Sequence, residues 1–214
     1  MDPLLIKYLT DFDQSLFVKI NGEWTNSVLN FILPLLTDLN RNPFVIPIVL
    51  AILLFWVFRQ RYRAAMWILV LIISVGLSDF VSYRVIKSTA ERARPEQAGV
   101  PVMLRTNHHS GSSFPSNHAA NVFAAASILS AAIPGSGLLV FFLAFMVAYS
   151  RVYVGVHFPL DVFAGALLGL LIAFSVRIFL QKYIIRAELS EENRFERAHK
   201  RETSQRRKDL LRRK

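Results

Sequence analysis

Long apolar runs fill this chain and leave it few ways to fold. Residues 43–59 (PFVIPIVLAILLFWVFR), 64–86, 116–133, 137–155 and 159–184 each carry few charges. A helix crosses a bilayer with about 20 residues, so these five runs read as membrane spans. A soluble domain of 214 residues needs a polar surface, whereas 53% of these residues are apolar, and the surplus points to lipid. The predicted fold class is therefore all-α, an integral-membrane helical bundle of about five to six transmembrane helices with interfacial N-terminal helices.

The first 24 residues mix Leu, Ile and Phe with Asp2, Lys7, Asp11, Asp13, Lys19 and Glu23. They lack the continuous apolar core and small-residue cleavage site of a signal peptide, and read as amphipathic segments lying in the interface. Residues 27–37 (SVLNFILPLLT) are apolar but too short to span, and are expected at the membrane surface or dipping partway in. This reading divides the chain into a membrane-embedded domain over 1–185, with residues 1–42 as its interfacial segment, and a basic tail over 186–214.

Charge sets the expected orientation. Of a formal net charge of +10, much sits in residues 182–214, which hold 12 Lys or Arg against 6 Asp or Glu. Because this tail directly follows an apolar run, the positive-inside rule accounts for it as a cytoplasmic segment, and no nucleic-acid partner is expected. Arg59, Arg61 and Arg63, flanked by Trp56 and Trp67, place the loop between the first two runs on the same side. Counting crossings from there brings residues 87–115 and the 150–161 junction together on the outer face, with the N-terminus outside as well. The chain has no cysteine, which removes disulfides, thiolate nucleophiles and Cys-ligated zinc.

The chemically capable residues fall in those two outer stretches. Lys87 is followed after six residues by Arg94-Pro95; Phe114-Pro115-Ser116-Asn117-His118 comes next; then Ser150-Arg151, His157 and Asp161. Together they supply three cations, a hydroxyl, two histidines and one carboxylate, which is an anion site with an acid/base pair attached. Pro115 and Pro159 suggest helix starts, whose first N–H groups and positive dipole ends would face an anion. Ser116 and Asn117 would offer backbone N–H groups and the Ser116 hydroxyl a further donor. Phosphoryl transfer is catalysed mostly by positioning and charge stabilisation. A neutral imidazole is a competent nucleophile or base near pH 7. In this pattern His157 would attack, Asp161 would accept a hydrogen bond from its other ring nitrogen, and a protonated His118 would give its proton to the leaving oxygen.

The three clusters, in this order over residues 87–161, resemble the signature of the type 2 phosphatidic acid phosphatase superfamily: KxxxxxxRP, PSGH and SRxxxxxHxxxD. Asn117 stands where that family has Gly; the contact expected there is a backbone N–H, which Asn retains. The resemblance implies a phosphohistidine on His157, oriented by Asp161, with His118 as the proton donor. Lys87, Arg94, Ser116, Asn117 and Arg151 would hold the phosphate. No metal and no cofactor are implied, and only one carboxylate belongs to the constellation, short of the usual divalent-ion set. The expected activity is hydrolysis of a membrane lipid phosphate or diphosphate at the outer membrane face, with undecaprenyl diphosphate the first-guess substrate. Phosphatidylglycerol phosphate, phosphatidic acid, lipid A 1-phosphate, transfer of phosphate between lipids, and a silent lipid-binding or transport role are the alternatives. By the same analogy the chain belongs in a bacterial inner membrane, its site facing the periplasm and its tail the cytoplasm, with a monomer favoured. Vanadate-binding haloperoxidases share a similar anion cage but are soluble, which the apolar runs disfavour.

The remaining polar residues have plainer readings. His108 and His109 are expected in a solvated or headgroup-contacting loop, and Glu91, Arg92 and Glu96 as surface charges. The many Phe residues read as lipid-facing or packing groups. Gly165 and Gly169 form a GxxxG that suggests close helix packing within one chain.

Overall fold

The computed structural model describes residues 2–37, 42–107 and 110–212. Among them there is no strand. Seven helices follow in order: α1 (Pro3–Val18), α2 (Ser27–Thr37), α3 (Val45–Phe80), α4 (Lys87–Ala90), α5 (Asn117–Ala132), α6 (Gly137–Tyr153) and α7 (Pro159–Arg212). A π-helical turn over Lys19–Glu23 prolongs α1, and a second over Val81–Ile86 joins α3 to α4. The runs expected as two spans at 43–59 and 64–86 are the two arms of α3, which breaks at Arg61 (φ 42°, ψ −113°). The last run opens α7, which continues as helix through the basic residues to Arg212. His108 and His109 lie outside the described residues.

By length and composition, two stretches among the described residues qualify to cross a membrane, Val45–Gln97 and Pro159–Arg194. The apolar α2 and α6 are shorter. The distribution of side-chain size is that of a bundle solvated by lipid: large side chains point outward and small ones inward. Ile52, Leu54, Phe55, Phe58, Leu138, Phe142, Leu171 and Phe179 are exposed. The interior of α5 is made of Ala119, Ala120, Ala124, Ala126 and Ala132. An apolar surface of this extent needs an apolar surrounding.

Helix α5 sits in the middle, packed against α3, α6 and α7. Its contact with α7 is the tightest. A methyl group added at Gly165 would stand 2.4 Å from the Ser116 carbonyl oxygen, and one at Gly169 would stand 2.0 Å from that of Ala120. The GxxxG is therefore used inside the chain, as its pattern suggested. At the far end of α5, Trp67 (4% exposed), Val70, Ile128, Ala173 and Ile184 form the main apolar cluster. Trp67, expected as a boundary residue, is thus a packing residue. The arginine corner closes that end. Arg63 donates to Gln60 and to the Ala132 carbonyl (3.2 Å), and lies 3.9 Å from Glu188 of α7.

The N-terminal segment is more embedded than its pattern suggested. Asp13, Phe17, Ile20 and Asn21 share one buried face of α1 and its π-helical turn, while Leu4, Leu5, Tyr8 and Phe12 remain exposed. Asn21 fastens this face by accepting from Met103 N–H and donating to the Met103 and Tyr153 carbonyls.

The α5–α7 contact can be tested directly. Gly169→Ala is expected to destabilise the protein by about 1–3 kcal/mol, because backbone must move to admit the methyl. Gly76→Ala, where nothing lies within 4 Å of the added carbon, is expected to be neutral or slightly stabilising. Thermal unfolding of both variants in detergent reads the difference, and equal effects would remove the close-packing account.

Candidate active site

The loop ends of α3–α4, α5, α6 and α7 converge at the end of the bundle opposite the arginine corner. A cavity of about 570 Å³ opens there, and Lys87, Arg94, Asn117, His118, Arg151 and His157 all line it. The sequence placed these six in three separate motifs; the fold gathers them around one space. Tyr83, Arg84 and Ser88, which no motif specifies, line it too.

His157 occupies the turn between α6 and α7 and is 3% exposed. Its Nδ1 faces Asp161 Oδ2 at 3.6 Å, one helical turn on. Burial pulls the imidazole's pKa down to about 3; Arg151 and Arg94 push the same way, and the Asp161 contact opposes them. Burial therefore favours the neutral ring, which keeps a lone pair. His118 is half-buried in the first turn of α5.

Helix starts position both histidines. Ser116 is the N-cap of α5, its hydroxyl accepting from Ala119 N–H. Pro115 stands before that cap, after a cis Phe114–Pro115 bond, so it does not occupy the first helical turn as its pattern suggested. Pro159 does begin α7. The Ser116 N–H donates to the Asp161 carbonyl at 2.9 Å, so this amide, expected to face phosphate, instead ties the two helix starts together. Asn117 is the first helical residue, and its N–H has no carbonyl within the helix to bond.

Two of the cations, Arg94 and Lys87, are held by backbone carbonyls. Arg94, 4% exposed, donates from Nε to Gly111 O (3.0 Å) and from one terminal nitrogen to Val156 O (2.9 Å). Lys87 Nζ donates to Ser112 O at 2.9 Å. Arg151 sits in the last turn of α6, where the helix dipole favours a cation. One of its nitrogens donates to Thr37 Oγ at 2.6 Å, which brings the end of α2 to the site.

Two residues of this site were not picked out from sequence. Arg92, expected as a surface charge, is a bridge. One guanidinium nitrogen donates to Asp161 Oδ1 and the other to Asp13 Oδ2, each at 2.5 Å. Its guanidinium also lies 4.7 Å from the Phe158 ring centroid. Asp13 in turn accepts from Leu160 N–H at 2.8 Å, and Asp161 Oδ2 accepts from Phe158 N–H at 2.8 Å. Both carboxylates have no exposed side-chain surface. The Asp161 carboxylate is thus fixed by two donors, Arg92 and the Phe158 N–H, before it meets His157. The only sequence cue was an ionisable residue in an apolar segment, a feature that Asp13 shares with Asp11.

Comparison with known proteins places this geometry. The PAP2 superfamily model matches residues 64–185. Phosphatidylglycerophosphatase B of Bacillus subtilis is 33% identical over 176 residues, covering 77% of this chain and 80% of the relative. An undecaprenyl-diphosphatase of Sulfolobus acidocaldarius is 34% identical over 169 residues, covering 78% of each chain. Among solved structures, the transmembrane PAP2-type phosphatidylglycerolphosphate phosphatase of Bacillus subtilis superposes with a TM-score of 0.60 at 28% identity. That match covers 82% of this chain and 87% of the other.

Two measurements test the electrostatics. Arg92→Ala would leave two buried carboxylates without their shared cation, and is expected to cost about 3–5 kcal/mol of stability. Asp13→Asn, which keeps an acceptor for Leu160 N–H, is expected to cost less; the reverse order in thermal unfolding would remove the bridge. The second concerns pH. An unfolded imidazole titrates near 6.5, so below that pH the unfolded chain binds a proton that buried His157 refuses. Stability should therefore fall toward pH 3 by up to about 1.4 kcal/mol per unit. His157→Gln is expected to flatten that slope between pH 6.5 and 4.5, whereas an unchanged slope would mean that the folded imidazole titrates normally.

Proposed function

The chain belongs to the PAP2 superfamily and is a membrane lipid phosphatase, and on that premise we propose how it works: metal-independent hydrolysis through a phosphohistidine on His157. The observation that carries this reading is the convergence of a buried neutral His157, a half-buried His118 and three cations on one cavity at the head of an apolar bundle.

The steps follow from the chemistry of these groups. Lys87, Arg94, Arg151 and the Asn117 N–H bind the three non-bridging phosphoryl oxygens, where charge accumulates in the transition state. The free ring nitrogen of His157 attacks phosphorus, forming an N–P bond as the P–O bond to the lipid breaks. His118 gives its proton to the departing oxygen. Water then attacks the phosphohistidine, with His118 taking a proton from it, and inorganic phosphate leaves as His157 is restored. Asp161 orients the ring from Nδ1, and Ser116 serves as the cap that presents Asn117 and His118.

The site faces the periplasmic side of a bacterial inner membrane and the tail over 186–214 the cytoplasm. The arginine corner, at the end of the bundle away from the site and beside α7 where the basic tail begins, supports this orientation. Residues 1–185 act as one catalytic domain, and a monomer suffices, since Gly165 and Gly169 are already engaged within the chain. Phosphatidylglycerol phosphate, undecaprenyl diphosphate, phosphatidic acid and lipid A 1-phosphate are the substrates of this class to compare. Undecaprenyl diphosphate, the first guess from sequence, has support from the named Sulfolobus relative, and phosphatidylglycerol phosphate from the Bacillus one.

Purified protein in detergent with EDTA is expected to release phosphate from at least one of these lipids. His157→Ala should lower that rate on the order of 10³-fold or more, by loss of the nucleophile, and His118→Ala about 10²–10⁴-fold. Full activity in His157→Ala, or dependence on added metal, would overturn the mechanism.

A further inference from the structure

A second cavity, about 470 Å³, lies beside the phosphate chamber and shares His118 and Asn117 with it. Its walls carry the apolar side chains of Leu36, Val122 and Val147, and one charged side chain, Asp79. Asp79 is held in place. Its Oδ1 accepts from Asn121 Nδ2 at 3.0 Å and from Asn117 Nδ2 at 3.4 Å, while Asn117 Oδ1 accepts from the Ser82 hydroxyl at 2.7 Å. Asn117 and Asn121 are one turn apart on α5 and so present both amides to the same carboxylate.

The two cavities differ in sign. The first is lined by Arg84, Lys87, Arg94 and Arg151; among the described residues, the second has neither lysine nor arginine in its lining. His118 stands between them. In the mechanism above the proton from His118 goes to the leaving oxygen, so the bond that breaks lies at this junction. The phosphoryl group then belongs on the cationic side and the leaving half on the side of Asp79. We propose that the second cavity receives the leaving half of the substrate. There Asp79, fixed by Asn117 and Asn121, selects a leaving group that carries free hydroxyls, as a glycerol or sugar headgroup does, over one that is itself a phosphate.

The chemistry is direct. A carboxylate accepts hydrogen bonds from hydroxyls and has no proton to give to a phosphate oxygen. A second phosphate in this position would meet a fixed like charge, an exclusion device as much as an attraction for the preferred group. The apolar walls suit the carbon chain that follows the headgroup. This inference rests on the lipid phosphatase reading and ranks phosphatidylglycerol phosphate above undecaprenyl diphosphate as substrate, the reverse of the first guess.

The experiment compares kcat/KM of the full chain in detergent on three probes: phosphatidylglycerol phosphate, phosphatidic acid and undecaprenyl diphosphate. The wild type is expected to favour the first over the third by about tenfold or more, with phosphatidic acid, whose leaving group has no free hydroxyl, between them. Asp79→Asn should shrink the ratio of first to third by about tenfold, with the diphosphate gaining, and Asp79→Glu should keep it. A wild type that prefers the diphosphate overturns the proposal without needing any variant, as does an Asp79→Asn protein with an unchanged ratio. Those outcomes leave the phosphatase reading intact. Failure of the wild type on these three probes and on lipid A 1-phosphate, or activity that survives in His157→Ala, would instead remove the proposed mechanism and this inference with it.

Discussion

Gly165 and Gly169 let the backbone of α7 lie so close to that of α5 that a methyl group cannot fit between them, and the geometry of the site follows from that approach. At this separation the Ser116 N–H reaches the Asp161 carbonyl, which locks the start of one helix to the start of the other. His118 is two residues past the first of these anchors and His157 four residues before the second. Neither histidine needs a long lever to reach the common cavity, and each is placed by backbone whose position the small-residue contact already sets. In a bundle bathed by lipid the hydrophobic effect does not press helices together, so such close contacts carry the association.

The charged groups around the site are held largely in mutually satisfied sets. Arg92 joins Asp13 to Asp161, and both carboxylates also accept backbone N–H groups. Arg94 is surrounded by carbonyls of the 110–112 loop and of Val156. The result is a rigid frame of paired charge around a cavity that has a cationic lining. Rigidity of this kind has a catalytic use, since preorganised charges need not rearrange as the phosphoryl group reacts. It also gives α1 a role beyond lying on the surface, because Asp13 is the counter-charge that Arg92 shares with Asp161.

The fold class and the six cavity-lining motif residues were legible because each rests on a local signal. Apolar runs report helices, although among the described residues only two stretches are long and apolar enough to span, and the Lys, Arg and His spacings report residues that gather at one cavity. Even the break at Arg61 fell between two runs that the arginines had already separated. What could not be read were contacts between distant segments. Nothing near residue 13 announces a partner at residue 161, and Arg92 sits among charges of ordinary appearance. The Ser116 amide looked available because its partner is a carbonyl, which every residue has. Pro115 misled in a smaller way: a proline near a helix start can stand inside the first turn or just before the cap, and the sequence does not choose.

On the proposed mechanism, one fold assigns opposite roles to two copies of the same side chain. His157 is closed off, with Asp161 behind it and arginines around it; burial outweighs the carboxylate and keeps the ring unprotonated. His118 is only half-buried and lines both cavities. A nucleophile must retain its lone pair while anions are absent, which favours enclosure. A proton carrier must exchange with the leaving oxygen in one step and with water in the next, which favours a position at a junction. Two groups of equal intrinsic basicity would then be separated in function by their surroundings alone. The same placement explains why selectivity should be sought beyond the phosphate chamber: cations that hold three phosphoryl oxygens treat every lipid phosphate alike, whereas the wall behind His118 meets only what leaves.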